Sequence, residues 1–143
     1  MVSEEKYAEI SSMLTEKGFE IDNNADFIFQ EKDIYVKYLI GRKNGELYRI
    51  RTENITYIES LSHDVIAHSD GEEYRLSERL VRLTALLKPD EFLRISNSVI
   101  VNVNHVKAIK PALSQKYTLT LSCGSRVDVT RSYYYIFKDF FGI

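Results

Sequence analysis

Most of the sequence consists of short segments rich in β-branched and aromatic residues, separated by turn-forming residues. Several segments alternate apolar with polar residues, as strands do when one face is buried and the other meets water. Two intervening turns carry Asn44-Gly45 and Asp70-Gly71, the dipeptides that most strongly favour a hairpin. We therefore predict a mainly β fold in which residues 36–51 and 64–77 each form a hairpin.

A central helix interrupts this series of strands. Leu80, Leu83 and Leu87 recur on one helical face, and Pro89 follows them. Ser77 precedes the stripe, and because serine side chains accept hydrogen bonds from first-turn amides, we predict Ser77 as the N-cap. Further strands are predicted at 27–29, 55–59, 92–95, 99–103, 106–109, 117–121 and 126–129.

The C-terminal segment, residues 132–141, predicts a short aromatic helix. Its apolar residues form a wide face that we assign to the core. The single cysteine, Cys123, lies at the end of a predicted strand and has no partner for an internal disulfide. We expect its thiol to pack as a small apolar group and not to act as a nucleophile. The residues of the apolar helix face are Ile136, Phe137, Phe140 and Phe141.

The charge of the chain is unevenly distributed. Residues 1–33 contain nine acidic and three basic residues, a net charge of −6, whereas residues 34–143 carry +4 and the whole chain −2. Within the first part, a helix is predicted at 4–17 because its apolar residues recur on one face before Gly18. We predict two parts, an acidic arm of helix and short strands over 1–33 and a basic domain over 34–143. The apolar stripe comprises Tyr7, Ile10 and Leu14.

Enzyme and membrane signals are weak. The sequence has no glycine-rich phosphate loop, and His63 and His68 have no Cys or carboxylate partner at metal-ligand spacing. Glu59 is near them in sequence but is expected to face water. We predict no catalytic residue, no metal and no cofactor. Because no apolar run approaches 18 residues and the acidic start lacks a secretory layout, we expect a cytoplasmic protein.

Three stretches carry a family resemblance, namely residues 55–60 (ITYIES), 92–102 (FLRISNSVIVN) and 127–133 (VDVTRSY). They resemble, in the same order, three motifs of the LytTR domain, and the predicted central helix lies between the first two. The likeness covers about residues 34–143. It implies an all-β bacterial transcription factor domain that reads two successive major grooves of DNA with loop side chains.

The resemblance also implies site residues. The family's base-contacting positions fall on His63 and Arg131, and Asn97 matches a DNA-facing position between them. Arginine can donate two hydrogen bonds to one guanine, and histidine can donate to the same acceptors. Ser96 and Asn97 stand where many members have histidine and a basic residue, so one phosphate-pairing cation is missing. Phosphate contacts are then expected from other cations, namely Lys107, Lys110, Lys116 and Arg126.

Many proteins of the family carry a receiver domain ahead of this module, and 33 residues are too few for one. The sequence is therefore interpreted as a stand-alone regulator that binds promoter DNA, as a homodimer on paired half-sites. The resemblance also implies a sequestering membrane protein as a possible partner. Two alternatives remain open, a protein-interaction module of the same fold that has lost specific DNA binding, and a small β-fold enzyme.

Overall fold

The computed structural model describes residues 34–143, so the helix predicted at 4–17 and the strand at 27–29 lie outside the described residues. The described chain is mainly β, as predicted. Its strands are β1 Tyr38–Lys43, β2 Glu46–Arg51, β3 Ile55–Leu61, β4 Asp64–Ser69, β5 Glu72–Leu76, β6 Phe92–Arg94, β7 Val99–Asn102, β8 Val106–Ala112, β9 Lys116–Leu121 and β10 Arg126–Val129. Its helices are α1 Leu80–Leu86 and α2 Tyr134–Phe141, with three single 3-10 turns at Thr52–Asn54, Val103–His105 and Arg131–Tyr133.

The strands form two antiparallel sheets. The larger has the order β2-β1-β5-β4-β3-β7-β6, and the smaller has the order β10-β9-β8. Both predicted hairpins are confirmed, since β1 pairs with β2 and β4 pairs with β5. Their turns hold Asn44 and Asp70 at φ 51° and 52°, each followed by a glycine with φ near 78° and 77° respectively. Two consecutive left-handed residues give the turn twist that matches adjoining strands, which explains the Asn-Gly and Asp-Gly dipeptides.

Strands β3 and β7 separate two hydrophobic cores. On one face of the large sheet, Ile58 and Ile100 pack in a cluster with Leu83 of α1. On the other face, Tyr57 and Val101 pack with the small sheet and α2. Successive side chains of a strand point to opposite faces, so neighbouring residues of β3 belong to different cores. Most of β7 and the first four residues of β3 are therefore buried on both faces.

Polar side chains tie the two sheets together. The Nδ1 atom of His105 lies 2.7 Å from Ser122 Oγ, and its Nε2 atom lies 2.9 Å from the carbonyl oxygen of Glu53. Asn102, fully buried, donates from Nδ2 to the carbonyl oxygen of Ile55 at 2.9 Å. An unsatisfied amide at that depth would cost free energy, so the Asn102 bond fixes how β7 meets β3 within the larger sheet, and the His105 contacts connect that region to the end of β9.

Ser77 is not the N-cap of the central helix, so that prediction is wrong. Helix α1 begins at Leu80 after Arg79, whose side chain makes no capping bond. Leu76 is still paired with Val65 in the sheet. The chain needs the next three residues to pass from the sheet to the layer above it, so the helix starts at Leu80, the first leucine of the stripe, and later than a cap at Ser77 would place it.

Two further predictions on burial need correction. Of the predicted apolar face of α2, Phe137 is fully buried, but Ile136 and Phe140 are 56% and 40% exposed. The helix is only eight residues long and rests a single stripe on the small sheet. The thiol of Cys123 is exposed, because β9 ends at Leu121 and Cys123 lies in the turn that follows.

Gly41 packs where two side chains leave no room for a Cβ atom. A Cβ placed there would lie 2.6 Å from both Ile50 Cδ1 and Tyr74 Cβ. We predict that Gly41→Ala lowers the free energy of unfolding by about 1–3 kcal/mol, the usual cost of overpacking a core. Denaturant unfolding measures this. Ser77→Ala is the control and should change stability by no more than about 0.5 kcal/mol, and a larger loss would reinstate Ser77 as a cap.

Candidate nucleic-acid interface

Three loops meet at one end of the two sheets. The register that pairs Glu59 with Val99, and a bond from Ser60 N to Ser98 O of 2.8 Å, place the β3–β4 turn beside the β6–β7 loop. The amide of Thr130 donates to the carbonyl oxygen of Ile95 at 2.9 Å. This bond brings the segment after β10 to the same β6–β7 loop.

An open groove of about 530 Å³ lies between the β6–β7 loop, the segment after β10 and the tip of the β8–β9 hairpin. All the residues that line it are polar, and two of them, Lys116 and Arg131, carry positive charge. Within the described part of the chain, neither cation forms an ion pair, and no carboxylate lines the groove. The groove therefore suits a polyanion that offers many hydrogen-bond acceptors. Its lining residues are Ser96, Asn97, Ser98, Ser114, Lys116, Thr130, Arg131 and Ser132.

The β6–β7 loop is held by its neighbours. The guanidinium of Arg94 donates to the carbonyl oxygens of Ser96, at 3.1 Å, and Asn97, at 2.7 Å. Inside the loop, the amide of Ser98 donates to Ser96 Oγ at 3.2 Å. Tyr133 Oη donates to Asn97 Oδ1 at 3.2 Å, which leaves the Asn97 amino group as a donor at the surface. A loop fixed in this way loses little entropy when it binds.

The structure brings together four of the eight residues named above as possible DNA contacts, and Arg126, at the start of β10, is not one of the four. Ser96, Asn97, Lys116 and Arg131 all line the groove, and Ser96 is buried whereas the other three are exposed. Arg131 begins the 3-10 turn that joins β10 to α2.

His63 lies at the same end of the sheets but is not among the groove's lining residues. It is exposed in the two-residue turn between β3 and β4, next to Ser62, which has a φ of 55°. A left-handed serine is strained, and such strain is most common where a turn holds a functional side chain. Below the turn, Arg75 Nη2 lies 3.3 Å from Asp64 Oδ2 and braces the start of β4.

The two remaining lysines lie elsewhere on the small sheet. Lys110 is opposite Thr118 in mid-strand. Lys107 is the extra residue of a bulge, five residues before the strand end that leads to the groove, so it lies roughly 17 Å away along β8. Both are exposed. The structure therefore does not bring Lys107 and Lys110 into the groove.

Sequence reasoning missed Arg94, Tyr133 and Ser114. The first two lie inside the stretches that carry the family resemblance, and that was the available signal. Their role could not be deduced from it, because Arg94 acts on backbone carbonyls and Tyr133 acts on a residue 36 positions away. Ser114 reaches the groove only through the pairing of β8 with β9.

Glu59 and His68 form a pair that the sequence did not predict. His68 Nε2 lies 2.7 Å from Glu59 Oε1, and the imidazole stacks on Tyr57 with ring centres 4.0 Å apart. Tyr57 and His68 are direct cross-strand partners, so their side chains lie on the same face of the sheet although the residues are not close in sequence. Burial raises the pKa of Tyr57 above its ordinary value. The expectation that Glu59 faces water is thus wrong.

The described residues give no sign of a metal or a membrane span. Over residues 34–143, no three His, Cys, Asp or Glu side chains are grouped so that they could hold a metal ion. In the same range, neither α-helix is long and apolar enough to cross a bilayer.

The fold and the groove define a mainly β module that offers loop side chains and positive charge at one end of its sheets. Comparison with known proteins places it more closely. The LytTr DNA-binding domain family matches residues 45–142. The chain belongs to the LytTr DNA-binding domain family.

Individual relatives agree with that assignment. The chain is 27% identical over 123 residues to the transcriptional regulatory protein LytR of Staphylococcus aureus strain N315, covering 85% of this chain and 50% of that protein. It is 29% identical over 112 residues to the sensory transduction protein LytT of Bacillus subtilis strain 168, covering 77% and 46%. Among solved structures, a LytTr DNA-binding domain from Bacillus cereus matches with a TM-score of 0.73 at 26% identity, covering 76% of this chain and 99% of that one. The chain spans about half the length of the curated relatives it matches.

Arg94→Lys tests how the β6–β7 loop is held. A lysine keeps the charge but cannot reach both carbonyls, so the amides of Ser60 and Ser98 should exchange hydrogen about tenfold faster, or ~1.4 kcal/mol, as expected for one charge-assisted bond. Hydrogen exchange followed by NMR measures this. Arg75→Lys, which alters only an exposed ion pair, is the control and should leave both amides unchanged. Equal exchange rates in Arg94→Lys and the wild type would show that the β6–β7 loop keeps its conformation without the two Arg94 hydrogen bonds.

Proposed function

We propose that this chain is a transcriptional regulator that binds duplex DNA sequence-specifically through the loops around the groove. The observation that carries the proposal is the groove itself, where two cations and a row of polar side chains lie together, with no ion-pair partner and no lining carboxylate among residues 34–143. Phosphate contacts supply affinity through counterion release, and base-edge contacts supply sequence preference. The net charge of +4 over residues 34–143 favours the first of these contributions.

The proposal gives each side chain a role. Arg131 and His63 reach base edges in two successive major grooves, with Arg131 able to bind guanine O6 and N7 together. Asn97 approaches the DNA between them through its free amino group. Lys116 and Ser96 contact the backbone. A protein that contacts two grooves from one face favours bent DNA, and the cost of bending then contributes to site choice.

The proposal also extends to assembly and control. Two copies acting on paired half-sites would double the contacts without a new binding surface. From the family resemblance alone, we also propose a membrane protein partner that holds the regulator away from DNA. The division of the chain at residues 33 and 34 likewise stays a prediction.

Selection from a random duplex pool with the full chain tests the function. We expect an enriched sequence, and binding to it should weaken as salt rises, with a slope of log K on log salt of about −0.9 per phosphate neutralised. Fluorescence anisotropy with the selected duplex and a scrambled one measures both quantities. No enrichment, with equal binding to both duplexes at every salt concentration, would contradict the proposal and favour a protein-interaction module.

Arg131→Ala and His63→Ala should lose sequence preference and keep their stability. Each should cost about 1–3 kcal/mol on the selected duplex and little on the scrambled one, because only the first offers the matched base. Thermal melting should be unchanged, since both side chains are exposed. A variant that melts early but keeps the wild-type preference would show that its side chain is structural.

The lysines of the small sheet provide a graded test of where the DNA lies. Lys116 lines the groove, Lys110 is in mid-strand and Lys107 is at the far end. Alanine at each should weaken binding to all duplexes in the order Lys116, Lys110, Lys107, with the last near zero, because electrostatic attraction falls within a Debye length of about 8 Å. Lys107→Ala is the matched control. An equal loss at all three positions would contradict the assignment of the groove.

A further inference from the structure

The tip of the β8–β9 hairpin exposes an apolar side chain. Leu113 is 90% exposed, more than any other large hydrophobic residue of the described chain. It occupies the first position after β8 and directly precedes Ser114, which lines the groove. A single exposed leucine is ordinary on a protein surface, so its position and the shape of the tip decide what it can do.

The backbone of this tip is strained. Ser114 and Gln115 both lie in the left-handed region, with φ of 63° and 57°. Glycine and asparagine adopt that region with little cost, but serine and glutamine do not. The conformation is held from outside, since Gln115 Nε2 donates to Tyr135 Oη of α2 at 3.0 Å. This bond tethers the hairpin tip to α2, and Leu113 is exposed next to the groove residue Ser114.

The surroundings of Leu113 are those of the proposed DNA contacts. Lys116 lies three residues further on and shares the groove with Asn97 and Arg131. Leu47, on β2 at the edge of the large sheet, and Val81, on α1, are more exposed than any other large aliphatic residue among residues 34–143 except Leu113, and Leu61, 54% exposed, ends β3 beside the turn that holds His63. Leu113 is thus an apolar side chain close in sequence to Lys116, assigned above to the DNA backbone, and next to a groove that also holds Arg131, assigned to a base edge.

We propose that Leu113 is a further specificity-determining residue, which packs against the C5 methyl group of a thymine in the major groove. This inference rests on the proposed function. The C5 methyl group is the one apolar feature of the major-groove edge, and aliphatic side chains distinguish thymine through it. The tether between the tip and α2 favours this contact because it limits the backbone entropy that is lost on binding. Leu113 would add a preference for an A·T pair to the polar contacts of Arg131, His63 and Asn97.

The test uses the full chain and the duplex selected from a random pool. Each thymine is replaced in turn by deoxyuridine, which removes only the C5 methyl group. We expect one replacement to weaken wild-type binding about fourfold, the equivalent of ~0.8 kcal/mol for one buried carbon. Leu113→Ala should bind the thymine duplex about fourfold more weakly and should show no further loss on that deoxyuridine duplex, which is the coupling expected of a direct contact.

Two variants act as controls. Leu47→Ala removes another exposed leucine, on β2 and outside the groove, and should retain both the affinity and the response to deoxyuridine. Leu113→Met keeps an apolar side chain and should restore most of the thymine preference. Melting temperatures of all three variants should match the wild type, because these side chains are exposed.

Three outcomes overturn the inference and differ from one another. Wild-type affinity in Leu113→Ala would show that the tip does not touch DNA. An equal loss on selected and scrambled duplexes, with no coupling to any deoxyuridine, would show contact with the backbone alone. If the random pool yields no enriched duplex, the proposed function itself has failed and the inference fails with it.

Discussion

The pairing of β3 with β7 is the interaction on which the rest of the molecule depends. Ile58 packs toward α1 and Tyr57 toward the small sheet, so both cores are built on one strand pair. The same register, continued by the bond from Ser60 to Ser98, aligns the β3–β4 turn with the β6–β7 loop. A slip of one residue would exchange the two faces of β3 and would also separate the loops at its end. Stability and the geometry of the groove therefore have one origin.

Hydrogen bonds inside the protein determine which polar groups of the groove can bind a ligand. Arg94 donates hydrogen bonds to the carbonyl oxygens of Ser96 and Asn97, and Tyr133 donates one to the side-chain oxygen of Asn97. The lining cations Lys116 and Arg131 have no such internal partner within the described residues. Fixed loops and uncompensated cations together give an interface that is organised before a polyanion arrives, which lowers the entropic cost of binding.

The sequence was informative where local rules determine structure. Asn44-Gly45 and Asp70-Gly71 predicted both hairpins, and leucine spacing predicted α1. The predictions were wrong where long-range packing determines the structure. These were the first residue of α1, the burial of the outer side of α2 and the burial of Cys123. For the site, the family resemblance suggested Asn97 and Arg131, which share the groove. Arg94, the Glu59–His68 pair and the strained tip at Leu113 depend on cross-strand register, which no local pattern contains.

The central claim is that DNA lies across the loop end of the two sheets. Backbone amide shifts of the full chain, recorded by NMR during titration with a duplex from the random-pool selection, test it most directly. The account predicts that shifts concentrate at 62–63, 95–98, 113–116 and 130–132, while α1 and the far end of β8 around Lys107 stay unchanged. Shifts concentrated instead on the exposed side of β1 and β2, around Ile40 and Leu47, would contradict the claim.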